Sequence, residues 1–94
     1  MELKDFLGKV VICIDSGERF RLDRITSPEI IVESENLNSY GYHEHYAYER
    51  NPIANGYLVF EDPALKEPFC KAYEAYCHSE EGRWEAYGYW LMKE

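Results

Sequence analysis

The sequence predicts an α+β domain, an antiparallel sheet of about five to six strands packed on one main helix. Three observations lead there. Apolar residues alternate with a period of two through several short segments before residue 60. Gly, Pro, Asn or Ser residues bound each of those segments. One stretch near 68–81 instead carries apolar residues at helical spacing. The 94 residues form a single domain, 1–94, and a chain of this size buries roughly 60–68% of its unfolded surface, enough for one modest core.

Leu3, Phe6 and Leu7 fall at i, i+3 and i+4 before Gly8, the pattern of a short amphipathic turn with a glycine cap. From Lys9 to Asp15, Val10, Ile12 and Ile14 share one parity and Val11 and Cys13 the other, which predicts a strand buried on both sides. Ser16-Gly17 supplies the turn, and Arg19 to Asp23 returns with Phe20 and Leu22 inward, so that 9–25 reads as a hairpin. Ser27-Pro28 interrupts the pattern. A strand near 29–35 follows, with Ile30 and Val32 on one side and Glu29, Ile31, Glu33 and Glu35 on the other. After a loop at Asn36–Ser39, a strand near 40–49 aligns Tyr40, Tyr42, Tyr46 and Tyr48 on one face, with His43 and His45 opposite. Asn51-Pro52 and Asn55-Gly56 bracket the loop before a short strand near 57–60. Asp62-Pro63 opens a helical region, and Pro68 is expected at the first position of the main helix. Phe69, Tyr73 and Tyr76 form its buried stripe, and Gly82 is placed to end it. Gly88 and the surrounding aromatics favour a last strand near 84–92 over a helix.

Eighteen acidic residues against ten basic ones leave a net charge of −8. That balance opposes direct binding to nucleic-acid phosphates, which takes clustered Lys and Arg, and opposes anionic membranes. The start of the chain lacks a secretory apolar stretch, and no apolar run approaches the ~18 residues of a membrane span. Cys13, Cys70 and Cys77 are odd in number and read as reduced thiols, so a cytoplasmic location is expected.

Between Ile25 and Glu49 there is no Lys or Arg, but there are Glu29, Glu33, Glu35, Glu44 and Glu49. On a strand Glu33 and Glu35 point the same way, about 6.6–6.8 Å apart. Two phosphate steps along a DNA strand span nearly the same distance, roughly 3.4 Å each. The alternative is a solvated face, or an edge strand protected by charge. All nine tyrosines lie between Tyr40 and Tyr89, and Tyr40, Tyr42 and Tyr46 flank Glu44. Exposed, these rings and carboxylates make an aromatic and acidic patch suited to a basic protein partner. Covered by the helix, the same rings are core, and each hydroxyl then needs a hydrogen-bond partner.

His43-Glu44-His45 sets two imidazoles at i and i+2, with Cys77 and His78 as further possible ligands. The close ligand pairing of closed zinc sites is absent, and exposed histidines without metal or cofactor are expected. Cys70 and Cys77, seven residues apart, read as core-edge residues, and the serines sit in no nucleophile elbow. No glycine loop for phosphate is present.

In size, acidity and aromatic content, the whole chain resembles the small inhibitors that phages and mobile elements direct against bacterial defence, the anti-CRISPR and anti-restriction proteins. No shared motif carries the resemblance. It implies a non-enzymatic protein in the bacterial cytoplasm that occupies the basic cleft of a CRISPR effector or another nuclease. Glu33, Glu35, Glu44 and Glu49 would then stand in for phosphates, with Tyr40, Tyr42 and Tyr46 beside them. Arg19, Arg21 and Arg24 depart from a uniformly negative surface. Two other readings stand beside this one. The first is an immunity-type or accessory module with an apolar interface that includes Tyr42 or Trp90. The second is a small metal-dependent enzyme centred on His43 and His45.

Overall fold

A computed structural model describes residues 1–93. A 3-10 turn at Leu3–Phe6 leads into strands β1 (Val10–Cys13), β2 (Arg19–Ile25), β3 (Ile30–Leu37), β4 (His43–Tyr48) and β5 (Leu58–Phe60). A second 3-10 turn at Pro63–Leu65 precedes helices α1 (Lys66–His78) and α2 (Glu80–Lys93). Among the described residues the strands form one sheet in the order β4-β3-β2-β1-β5, and every pair is antiparallel. The chain is therefore an α+β protein.

Alternation decides what the sheet buries. Val11, Phe20, Leu22, Ile30, Val32, Leu58 and Phe60 all point to one face and are sealed there. The amphipathic turn contributes Phe6 and α1 contributes Phe69 and Tyr73. Phe69 meets Phe6 and Phe60 edge-on at ring separations of 5.2 and 5.4 Å and stacks on Tyr73 at 5.8 Å. Such ring pairs contribute about 0.5–1.5 kcal/mol each beyond their buried area. In β2 the register shifts between Leu22 and Arg24. The extra residue, Asp23, lets Leu22 and Ile25 both pack toward the core although they are three apart.

Four expectations are corrected. First, β1 is covered on one face, not two: Val11 is sealed, whereas Ile12 is half-buried and Ile14 exposed. Second, the strand expected near 40–49 starts only at His43, because Tyr40 and Gly41 belong to a turn in which Gly41 takes φ +83°. Third, α1 begins at Lys66 and ends at His78. Pro68 is tolerated in its first turn because N–H groups there have no intrahelical acceptor.

Fourth, the strand expected near 84–92 is the helix α2. Its cause is local. Ser79 is extended (φ −72°, ψ 162°) and interrupts the helical path. The Ser79 hydroxyl donates to the Tyr76 carbonyl and accepts from the Gly82 N–H at 3.1 Å, capping α1 and α2 at once. Glu80 and Glu81 then place negative charge in the first turn, where the helix dipole favours it. Gly82 does not end a helix. It is buried at the corner, where an added Cβ would fall on the Tyr76 carbonyl oxygen.

Both helices are tied to the β2–β3 turn. The Tyr73 hydroxyl shares its proton between the carbonyls of Thr26 and Ser27, 2.9 Å from each. The Glu85 carboxylate of α2 accepts from the Ser27 N–H and from the Tyr76 hydroxyl. Burial raises both phenols, Tyr73 strongly and Tyr76 to about 12 from 10.0.

Gly82→Ala should lower stability in urea denaturation by about 1–3 kcal/mol, because the clashing group is backbone and cannot rotate away. This sign is opposite to the gain of about 1 kcal/mol that Gly→Ala brings in an ordinary helix interior. Raised phenol values mean that the folded chain retains protons the unfolded chain has released. The stability these two phenols contribute should therefore be fully present below pH 10 and be lost as pH rises through about 12, the value to which Tyr76 is raised from 10.0. Denaturation of wild type and Tyr73→Phe/Tyr76→Phe across that window should show a flatter dependence in the double variant.

Candidate protein-binding surface

Register separates the residues that the sequence grouped. Glu33 lies opposite Arg21 on β2 and His45 on β4, on the face the helices leave open. Tyr46 lies opposite buried Val32, and Tyr48 opposite buried Ile30, so both rings belong to the helix side of the sheet. Glu33 and Glu35 are thus on one face and Glu44 and Tyr46 on the other. Tyr40 and Tyr42 project from the turn before β4, and Glu49 lies just past its end, 3.3 Å from the Tyr89 hydroxyl. The expected single row of four tyrosines and flanking carboxylates is not formed.

On the open face Glu35 is compensated by arginine. Glu35 sits 3.4 Å from Arg19 Nε and 3.7 Å from Arg21 Nη2, and Arg19 reaches Glu61 as well. Asp23 and Glu33 lie 3.8 and 3.9 Å from His45 Nε2. The alternation that sets Glu33 and Glu35 side by side also sets Arg21 and His45 opposite Glu33 and brings Arg19 to Glu35.

The β4 end differs. β4 is an edge strand, and every residue from His43 to Ala47 is exposed. Asn38 Oδ1 accepts from the N–H groups of Tyr40 and Tyr42 at 3.0 and 3.1 Å and shapes the turn. Tyr40 and Tyr42 are 84% and 72% exposed, too much for a packing role. The Glu44 carboxylate accepts from the Tyr46 hydroxyl and from Asn38 Nδ2. The bond from Tyr46 holds Glu44 below the usual carboxylate value and raises Tyr46. At neutral pH the pair carries a full negative charge beside a neutral phenol. Tyr46 also meets Phe20 edge-on at 5.6 Å, which holds its ring in place.

Glu18 joins this group, and sequence reading missed it. Its Oε1 accepts from Ser34 Oγ at 3.1 Å, and Glu18 and Glu44 both line a depression of about 190 Å³ with Ser34, Asn36, Leu37 and Asn38. Its neighbours lie across the sheet, so no local pattern marks it. The second missed surface is on α2, where Trp84, Tyr87, Trp90, Leu91 and Met92 are exposed. Trp84 and Tyr87 line a groove of about 670 Å³ with Glu80 and Arg83.

His43, His45, Cys77 and His78, weighed in the sequence as possible ligands, do not come together. His43 Nδ1 lies 2.8 Å from the Ser34 carbonyl, and His45 turns to Asp23 and Glu33. Cys77 and His78 ride on α1, on the other side of the sheet, where Cys77 Sγ approaches the Ser27 carbonyl. Cys70 and Cys77 pack half-buried against the core. A hydrogen bond from Ser16 lowers the Cys13 thiol. Among the described residues no helix is long and apolar enough to cross a membrane. Compared with known proteins, the chain matches no family model, no curated protein and no solved structure.

Glu44→Gln removes the charge that raises Tyr46, so the Tyr46 phenol should ionise closer to an ordinary tyrosine. Alkaline absorbance titration of Glu44→Gln, with Tyr46→Phe identifying the affected transition, checks this. An unchanged curve would mean the two side chains are not bonded.

Proposed function

We propose that this chain is a non-enzymatic inhibitor that binds a basic, nucleic-acid-handling protein through the β4 edge and the turn before it. The partner would be a bacterial defence nuclease, such as a CRISPR effector. The observation that carries the reading is the exposed edge strand itself, with Tyr40, Tyr42, Glu44 and Tyr46 and with no Lys or Arg between Ile25 and Glu49. Rigid phenols supply contact area at small entropic cost, and uncompensated Glu44 and nearby Glu18 attract Lys or Arg. An unpaired edge also offers backbone groups to an incoming strand. Glu33 and Glu35 are assigned a lesser part, because they lie on the opposite face from Glu44 and Tyr46 and the charge of Glu35 is already met by Arg19 and Arg21.

The exposed aromatic side of α2 favours a second reading, an immunity-type or accessory module that docks through Trp84, Tyr87 and Trp90. Salt separates the two, since apolar docking is nearly indifferent to it and charge-steered docking is not.

Immobilised chain should capture from a bacterial lysate a nucleic-acid-binding protein that DNA or guide RNA displaces and that elutes with rising salt. Affinity for the captured protein should fall at least about tenfold in Glu44→Lys and in Tyr42→Ala, and little in Glu35→Gln. Undiminished binding by Glu44→Lys, or simultaneous binding of chain and DNA, would refute the edge-strand reading. Salt-independent binding lost in Trp84→Ala would establish the second.

A further inference from the structure

We propose that Asp23, Glu33 and His45 form a binding site for one divalent first-row transition-metal ion on the open face of the sheet. Asp23 Oδ2 and Glu33 Oε1 lie 3.8 and 3.9 Å from His45 Nε2, and one ligand atom from each residue falls within 4.8 Å of the others. These gaps are too long for hydrogen bonds, which close to roughly 2.7–3.2 Å. They are close to the spacing of donors around a metal. Bonds of about 2.0–2.2 Å at tetrahedral angles separate ligand atoms by ~3.4 Å. An inward movement of about 1.4 Å or less between ligand atoms would complete the set.

Three features of the fold arrange this convergence. The residues sit on three adjacent strands, β2, β3 and β4, and the ladder pairs Glu33 and His45 directly and the neighbours of Asp23 on either side. Glu33 and His45 are direct cross-strand partners. Asp23 is the extra residue of the β2 irregularity, a device that re-aims a side chain. Competition is also low. Arg21 lies opposite Glu33, but its guanidinium donates to the Gly8 carbonyl at 3.2 Å and leans toward Glu35.

The donor set selects the ligand class. Two carboxylates and a neutral imidazole balance a dication, and one nitrogen with two oxygens suits zinc, cobalt or manganese better than calcium. Three protein donors leave further coordination positions to water, as in open metal sites. This site lies on the opposite face from Glu44 and Tyr46 and does not depend on the inhibitor reading.

The test is titration of the purified metal-free chain with CoCl2 and with ZnCl2, followed by calorimetry and by cobalt absorption. One equivalent should bind, without the charge-transfer absorption of a thiolate ligand. Dissociation constants should rise at least ~10-fold in His45→Asn, Glu33→Gln and Asp23→Asn, and stay within about twofold in His43→Asn and His78→Asn. Circular dichroism confirms that each variant is folded, and near-isosteric Glu33→Gln keeps the test valid should another variant lose structure. Absence of saturable binding at millimolar metal would overturn the proposal. So would an unchanged constant in folded His45→Asn or Glu33→Gln, or a thiolate band.

Discussion

Backbone carbonyls turned toward a helical layer have to find donors there, and in this protein that requirement falls on the turn between β2 and β3. Thr26 closes the turn on itself, through its N–H and hydroxyl to the Glu29 carbonyl. Its own carbonyl and that of Ser27 then face α1, where the Tyr73 hydroxyl meets both. The Ser27 N–H is taken by Glu85 of α2, and the Tyr89 hydroxyl reaches Glu29. Both helices are therefore positioned by the same short turn, through Thr26, Ser27 and Glu29, and Ser27 is bonded to both. Without the Tyr73 hydroxyl the buried Thr26 carbonyl would lose its donor, at a cost of about 1–3 kcal/mol, and the half-buried Ser27 carbonyl would keep only the long contact from Cys77 Sγ.

Anchoring both helices on one side leaves the other side of the sheet to solvent, and that asymmetry sorts the charges. On the open face, residues two apart on one strand meet residues two apart on the next, so Arg19, Arg21, Glu35 and Glu61 compensate one another. At the β4 end no cation is available from the neighbouring stretch of chain, and Glu18 and Glu44 are held by neutral donors, Ser34, Asn38 and Tyr46. A net charge of −8 spread evenly would be a solubility device. Glu18 and Glu44, held at one edge beside exposed rings, add a local direction to that field.

Most of the sheet was legible because period-two patterns and turn residues are local. Phe20 and Leu22, Ile30 and Val32, and the turn at Ser16-Gly17 each state their own conformation. The helix α2 was not, because Gly88 and four aromatics have poor helix propensity, whereas the sign that decides the matter is the Ser79-Glu80-Glu81 start. Gly82 was legible as a special position but not as a point of close approach, which needs the path of both helices. The candidate surface was half legible. Exposure of Tyr40 and Tyr42 follows from the Asn38 turn, yet the placing of Glu33 and Glu44 on opposite faces depends on register with β2 and β4. Asp23 and Glu18 belong to their clusters only through partners on other strands.

An exposed edge strand invites pairing with another copy of itself, and natural sheets block this with charge at the edge. β4 carries Glu44 in its middle and no lysine, so two such edges brought together would set carboxylate near carboxylate. The same arrangement does not repel a strand or cleft lined with Lys and Arg. One residue thus opposes self-association and favours a basic partner, and no separate protective feature is needed at that edge. β5, the other edge, has Glu61 just past its end, but there Arg19 closes the charge. The two edges are chemically unequal, and the unsatisfied negative field belongs to β4.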